Sequence, residues 1–231
     1  MSLPPISPIP LDTPPVRNQV SLLITLAFVA MLIVGGIIAL VAVRNAGTPS
    51  NNTVAVFDAS LQYDGITTLD TPQPIADFTL TNQAGDALPF SQYQGQTVLL
   101  YFGYASCPDF CPTTLSDFKQ IKARLGAQAD AITFMMISVD GARDTPQVLA
   151  NYLGRIDPAF VGLTGTAEEV SAATEQFGVI FEANPLSDAG YYLVDHTVSL
   201  FLVDAAGQYT TYYAYGTDVE VIIADLAGKL G

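Results

Sequence analysis

The sequence predicts an α/β domain, a mixed central sheet flanked by helices, behind one N-terminal transmembrane helix. Three observations carry this. Residues 97–104 (TVLLYFGY) and 131–139 (AITFMMISV) are continuous apolar runs, as strands buried on both faces should be. Helical patterns with capping signals alternate with them, and a hairpin and a last helix close the chain. Residues 20–43 run for 24 residues without a charge. That length crosses a hydrocarbon core of about 30 Å at about 1.5 Å per residue.

From the N-terminus, residues 1–19 hold six prolines and little charge, and read as a disordered tail. Residues 20–43 read as an uncleaved anchor. The run is too long for a signal-peptide core, and VAVRNAG after it is a poor cleavage site. A buried core helix fits less well, because the run has no polar face. Gly35-Gly36 is a weak helix-packing signal. Arg17 before the span and Arg44 after it leave its orientation tied. Residues 44–73 read as a polar, turn-rich linker with a short strand at 53–57, and residues 74–231 as the folded domain.

Charge excludes some partners. Residues 45–231 hold six Lys and Arg against 21 Asp and Glu, a formal net charge of −15. Nucleic acid needs a basic footprint, so it is not a partner. Such a domain attracts cations or a basic protein face, or is simply kept soluble by its charge.

Within the domain, 78–80 and 87–90 flank the turn at 82–86 as a hairpin. After the strand at 97–104, a helix is expected over 112–125. Leu115, Phe118, Ile121 and Leu125 share one face, and Gly126 stands at the stop. After the strand at 131–139, Thr145-Pro146 opens a helix, and 160–163 is a short strand. Thr166 to Glu169 is a capping-box pattern whose helix ends at Phe177-Gly178. Strands are expected at 179–182 and 191–194. Residues 197–203 and 208–213 form a hairpin, and Thr217 to Glu220 repeats the capping pattern before the last helix. The thioredoxin fold has this order of elements.

Both cysteines lie in Cys107-Pro108-Asp109-Phe110-Cys111-Pro112. A disulfide here closes almost no loop, so stapling is a poor explanation. Inert core thiols are the other plain reading, but a Cys pair between a buried strand and a helix reads as redox or metal chemistry. Pro112 suits the first helical position and pushes Cys111 out of the helical region. Both sulfurs would then feel the helix N-terminus, which lowers thiol pKa. Three residues separate the cysteines, where thioredoxin-type oxidoreductases have two.

His196 is the one histidine. It directly precedes the strand expected at 197–203, whose entry in a thioredoxin fold packs on the dithiol loop and usually carries a cis-proline. Two thiolates and an imidazole favour copper, with zinc as competitor. Asp195 reads equally as a partner of that imidazole or a solvated turn residue.

These residues together resemble the Sco/SenC family, proteins for the synthesis of cytochrome c oxidase. The resemblance rests on residues 103–113 (GYASCPDFCPT), 137–140 (ISVD), 143–146 (RDTP) and 194–197 (VDHT), and covers roughly 72–231. It implies metal ligands at Cys107, Cys111 and His196. It also implies copper delivery to the dinuclear centre of oxidase subunit II, or reduction of that subunit's cysteines. Another extracytoplasmic copper donor or thiol reductant would be a second partner. The implied topology is a cytoplasmic N-terminus, one pass through the cytoplasmic membrane, and an extracytoplasmic domain holding copper in an exposed site. Many members carry proline after the ISVD aspartate, where this chain has Gly141. Asp140 and Asp144 are candidates to shape the site's loop, with helix capping the simpler role for Asp144. A peroxidase reading is weaker, since no Arg stands in or beside the Cys motif.

Overall fold

The computed structural model describes residues 65–230. The tail, the apolar run at 20–43 and the strand expected at 53–57 lie outside the described residues. Among those described, no helix is long and apolar enough to cross a membrane.

The strands are β1 (Ile66–Pro74), β2 (Thr79–Asn82), β3 (Ala87–Pro89), β4 (Thr97–Gly103), β5 (Ile132–Ser138), β6 (Val161–Thr164), β7 (Phe181–Ala183), β8 (Val194–His196), β9 (Leu200–Val203) and β10 (Gln208–Tyr213). The helices are α1 (Phe110–Leu125), α2 (Pro146–Gly154), α3 (Ala167–Thr174) and α4 (Val219–Leu230). Eight strands form one sheet in the order β1-β10-β9-β4-β5-β6-β2-β3, while β7 and β8 pair separately. The pairs β4–β5 and β5–β6 are parallel and the rest antiparallel, so the sheet is mixed. Parallel neighbours need crossovers, and α1 and α2 supply them.

Helices cover both faces. Leu99, Tyr101 and Gly103 stand level with Phe134, Met136 and Ser138 on one face. There Phe118 of α1 packs edge-on against Phe134 at 5.5 Å. On the other face Phe102 meets Phe177, just past α3, at 5.5 Å. Phe118, Phe102, Leu99 and Leu100 are all fully buried, each stabilising the fold by roughly 2 kcal/mol. Burial on both faces is why 97–104 reads as an unbroken apolar run.

Several boundaries differ from expectation. Residues 66–74, read as linker, form edge strand β1, which pairs with β10. Its outward side chains are polar or exposed (ITTLDTPQP), so it lacks the apolar run that marked the central strands. The Thr166–Glu169 capping box forms with both of its hydrogen bonds. Its expected copy at α4 does not. The Thr217 hydroxyl donates to the Ala214 and Gly65 carbonyls instead, and the Asp218 carboxylate accepts from the Glu220 N–H at 2.8 Å.

Candidate functional site

The turn from β4 into α1 carries Cys107, and Cys111 lies in the first turn of α1. The helix starts at Phe110, two residues earlier than Pro112 suggested, so Cys111 is helical. Amides in a first helical turn have no intrahelical partner, so proline fits there without losing a bond. The Cys111 N–H donates to Cys107 Sγ at 3.5 Å. Both thiols are free, and both are buried, Cys107 at 8% exposure and Cys111 at 0%. Gly103 makes this packing feasible. A Cβ there would overlap the Tyr101 ring and come within 3.1 Å of Cys111 Sγ.

His196 arrives from the other side. It ends β8, opposite Phe181, and three residues separate it from β9. The expected placement at the start of that core strand therefore does not hold. Its Nδ1 lies 2.9 Å from the Thr197 carbonyl. A carbonyl only accepts, so the proton sits on Nδ1 and the Nε2 lone pair is free to act as a ligand. Nε2 stands 3.7 Å from Cys111 Sγ. The rings of Tyr101 and Tyr104 meet the imidazole edge-on at 6.0 and 5.7 Å. Burial lowers the His196 pKa, which keeps the ring neutral.

The electrostatics correct one expectation. The helix N-terminus was expected to lower both thiol pKa values, yet burial pushes Cys111 up to about 12, only partly offset by hydrogen bonds from Tyr101 and the Tyr104 backbone. Loss of water outweighs the partial charge of a helix end. A bound cation reverses this, because a coordinating thiol is deprotonated outright. The donors suit such an ion. One ligand atom each from Cys107, Cys111 and His196 lie within 4.8 Å of one another. Atoms bound to one ion at about 2.0–2.3 Å sit about 3.5–4 Å apart, so only a small closure is needed. The site is not exposed as expected, since only the half-buried imidazole approaches solvent.

Residues beyond the three candidate ligands hold the two sides together. Asp144 is fully buried. Its carboxylate accepts from the Ala105 N–H at 2.8 Å and the Ser138 hydroxyl at 2.7 Å. It thus ties the Cys loop to the end of β5, while Thr145 caps α2. Helix capping was the simpler expectation for Asp144; the neighbouring threonine takes that role. Arg143 pairs with Asp140, donates to the Tyr192 carbonyl at 2.8 Å and lies over the Tyr192 ring at 3.6 Å. The Tyr192 hydroxyl donates to Asp140 at 2.8 Å. The Tyr104 hydroxyl accepts from the Val194 N–H at 3.2 Å. Asp195 is exposed, and the imidazole takes Thr197 as its hydrogen-bond partner instead.

The structure therefore brings Cys107, Cys111 and His196 together, as their motifs suggested. Sequence reasoning assigned no role to Tyr101, Tyr104 or Tyr192. The two tyrosines at 101 and 104 sit in or beside an apolar strand, where nothing separates a packing aromatic from one whose hydroxyl has a task.

A family model described as SCO1/SenC matches residues 67–231. Over 215 residues the chain is 29% identical to the SCO2-like protein of Rickettsia felis, covering 92% of this chain and 100% of that protein. It is 34% identical over 152 residues to the Protein SCO1 homolog, mitochondrial, of Homo sapiens, covering 65% of this chain but 50% of the human protein. The solution structure of apo Sco1 from Thermus thermophilus superposes with a TM-score of 0.64 at 36% identity, over 71% of this chain and 95% of that one. Bradyrhizobium japonicum ScoI with copper bound gives a TM-score of 0.62 at 34% identity, over 67% of this chain and 98% of that one. The mixed α/β sheet is thus the thioredoxin-like fold of those proteins.

Proposed function

The chain belongs to the SCO1/SenC family, and on that premise we propose that it is a copper chaperone for cytochrome c oxidase assembly. One copper ion is held by Cys107 Sγ, Cys111 Sγ and His196 Nε2. Convergence of these three atoms within 4.8 Å carries the reading, and the copper bound by Bradyrhizobium japonicum ScoI supports the choice of metal. Soft thiolates with one imidazole suit copper, and Cu(I) in particular.

The recipient is the dinuclear copper centre of oxidase subunit II. Residues 20–43 anchor the chain in the cytoplasmic membrane, with the N-terminus cytoplasmic and the folded domain, which begins with β1, extracytoplasmic. The ion leaves by ligand exchange on the His196 side, where the site is nearest to solvent. The acidic surface steers a copper donor or a basic partner face.

A second reading has its own support. Two free thiols so close together can also run thiol–disulfide exchange, reducing the cysteines of that subunit or of another extracytoplasmic partner. Cys107, the less buried thiol, would attack and Cys111 resolve.

Copper titration of the reduced, detergent-solubilised full chain separates the two. Wild type is expected to bind one copper, and Cys107→Ser, Cys111→Ser and His196→Ala each to lose affinity by about 100-fold or more. If His196→Ala binds copper like wild type, the chaperone reading loses its distinguishing ligand and the oxidoreductase reading replaces it.

A further inference from the structure

Tyr101 is fully buried in the middle of the sheet, yet it carries a hydroxyl. Phenylalanine would fill the same space without the cost of taking that hydroxyl from water. The hydroxyl donates to Cys111 Sγ at 3.3 Å, with the Thr114 hydroxyl also in contact. The ring is edge-on to His196 at 6.0 Å, and Gly103 leaves the gap through which it reaches the sulfur. One side chain therefore touches two of the three ligands from beneath.

We propose that Tyr101 is a positioning residue that tunes the Cys111 sulfur through this O–H···S hydrogen bond. The inference deepens the metal-site reading above and rests on it for the copper-loaded state. A donor aimed at a sulfur draws electron density from it. The bond is stronger to a reduced sulfur than to a disulfide sulfur, so it favours the dithiol over the disulfide. In the loaded state it weakens electron donation from sulfur to the metal, a known control of copper potentials.

The test is Tyr101→Phe in the full chain, with two readouts. The first is metal-free equilibration with reduced and oxidised dithiothreitol. Cys107 and Cys111 thiols give two electrons and two protons to the reagent's disulfide. The Cys107–Cys111 S–S bond forms as the reagent's S–S bond breaks. Loss of the hydrogen bond is expected to shift this equilibrium about fivefold toward the protein disulfide, or ~20 mV at ~30 mV per decade. An unchanged equilibrium overturns the proposal.

The second readout is the thiolate-to-copper charge-transfer band of the Cu(II)-loaded chain, expected to move to longer wavelength. A band that stays in place overturns the proposal for the loaded state. A metal site that fails in wild type leaves the first readout intact, so the two ideas fail separately. In the unsubstituted reduced chain, the bond is read directly as a slowly exchanging Tyr101 hydroxyl proton with a nuclear Overhauser contact to the Cys111 Cβ protons. Its absence counts against the proposal even if the variant does not fold.

Discussion

The two sides of the site are built differently. Cys111 stands on α1 and Cys107 on the turn leading into it, and Leu115, Phe118 and Ile121 of that helix are wholly buried against the sheet. His196 stands on a ribbon of two three-residue strands, whose surroundings expose Ile180 at 78% and Leu186 at 68%. A two-stranded ribbon is marginal by itself. It is kept in place by Val194, buried in the core, by Phe181 packed against that core, and by the Arg143–Asp140–Tyr192 cluster and the Tyr104 hydroxyl. The difference teaches that the thiol half is seated on a core helix, while the imidazole half rests on two apolar anchors and a polar clamp. In the ligand exchange proposed above, His196 is the ligand expected to leave first.

Breaking the clamp should give the largest effect. Asp140 keeps 3% of its side chain exposed against 27% for Arg143, so Arg143→Met strands a buried carboxylate. With the arginine partly solvated, the expected loss is about 2 kcal/mol of stability, below the range for a fully buried pair. Amide exchange should quicken in β7 and β8 and stay slow in α1, and copper affinity should fall about tenfold. Equal quickening in α1 would erase the distinction between the halves.

A smaller change sharpens the comparison from outside the site. Thr166→Ala removes the α3 cap and should cost about 1 kcal/mol in denaturant unfolding. Copper affinity should change little, since the cap's hydrogen bonds run only between Thr166 and Glu169. A parallel loss of affinity would mean that the ribbon depends on α3 as well.

The smallest effect is in pH. Burial holds the His196 pKa below its ordinary 6.5. Between the two values the unfolded chain binds a proton that the folded chain does not, so stability rises with pH there. The contribution is complete above the ordinary value and is lost as pH falls through the folded one. His196→Asn should therefore flatten the metal-free stability profile on the acid side of neutrality. A slope identical to wild type would show that the imidazole is as hydrated as in the unfolded chain.

Much of this was legible before the structure. The central strands announced themselves because burial on both faces demands apolar side chains without interruption. The three side chains that converge were legible because thiols and imidazole are rare here and sit at a strand–helix turn and near a strand entry. The edge strand β1 was not, because one row of its neighbours is solvent and its side chains are free to be polar. Nor was the start of α1, since a proline tolerated anywhere in the first turn cannot fix where that turn begins. The depressed thiol pKa expected at a helix end was overturned by burial, a property of the whole fold that local spacing does not contain. Arg143 was visible only as part of the RDTP run, and its partners lie 3 and 49 residues away.

Gly141 was noted in the sequence as a departure near the site, in a loop. In the fold, a Cβ placed on it would overlap the carbonyl oxygen of Gly165. The loops following β5 and β6 touch backbone to backbone there, and neither can accept a side chain at residue 141 while the other keeps its course. Proline, with its own Cβ, is shut out as firmly as any bulky residue. The two loops are thus sterically coupled: a side chain at residue 141 requires the loop at Gly165 to take another course, and a graft of one loop without the other would arrive mismatched.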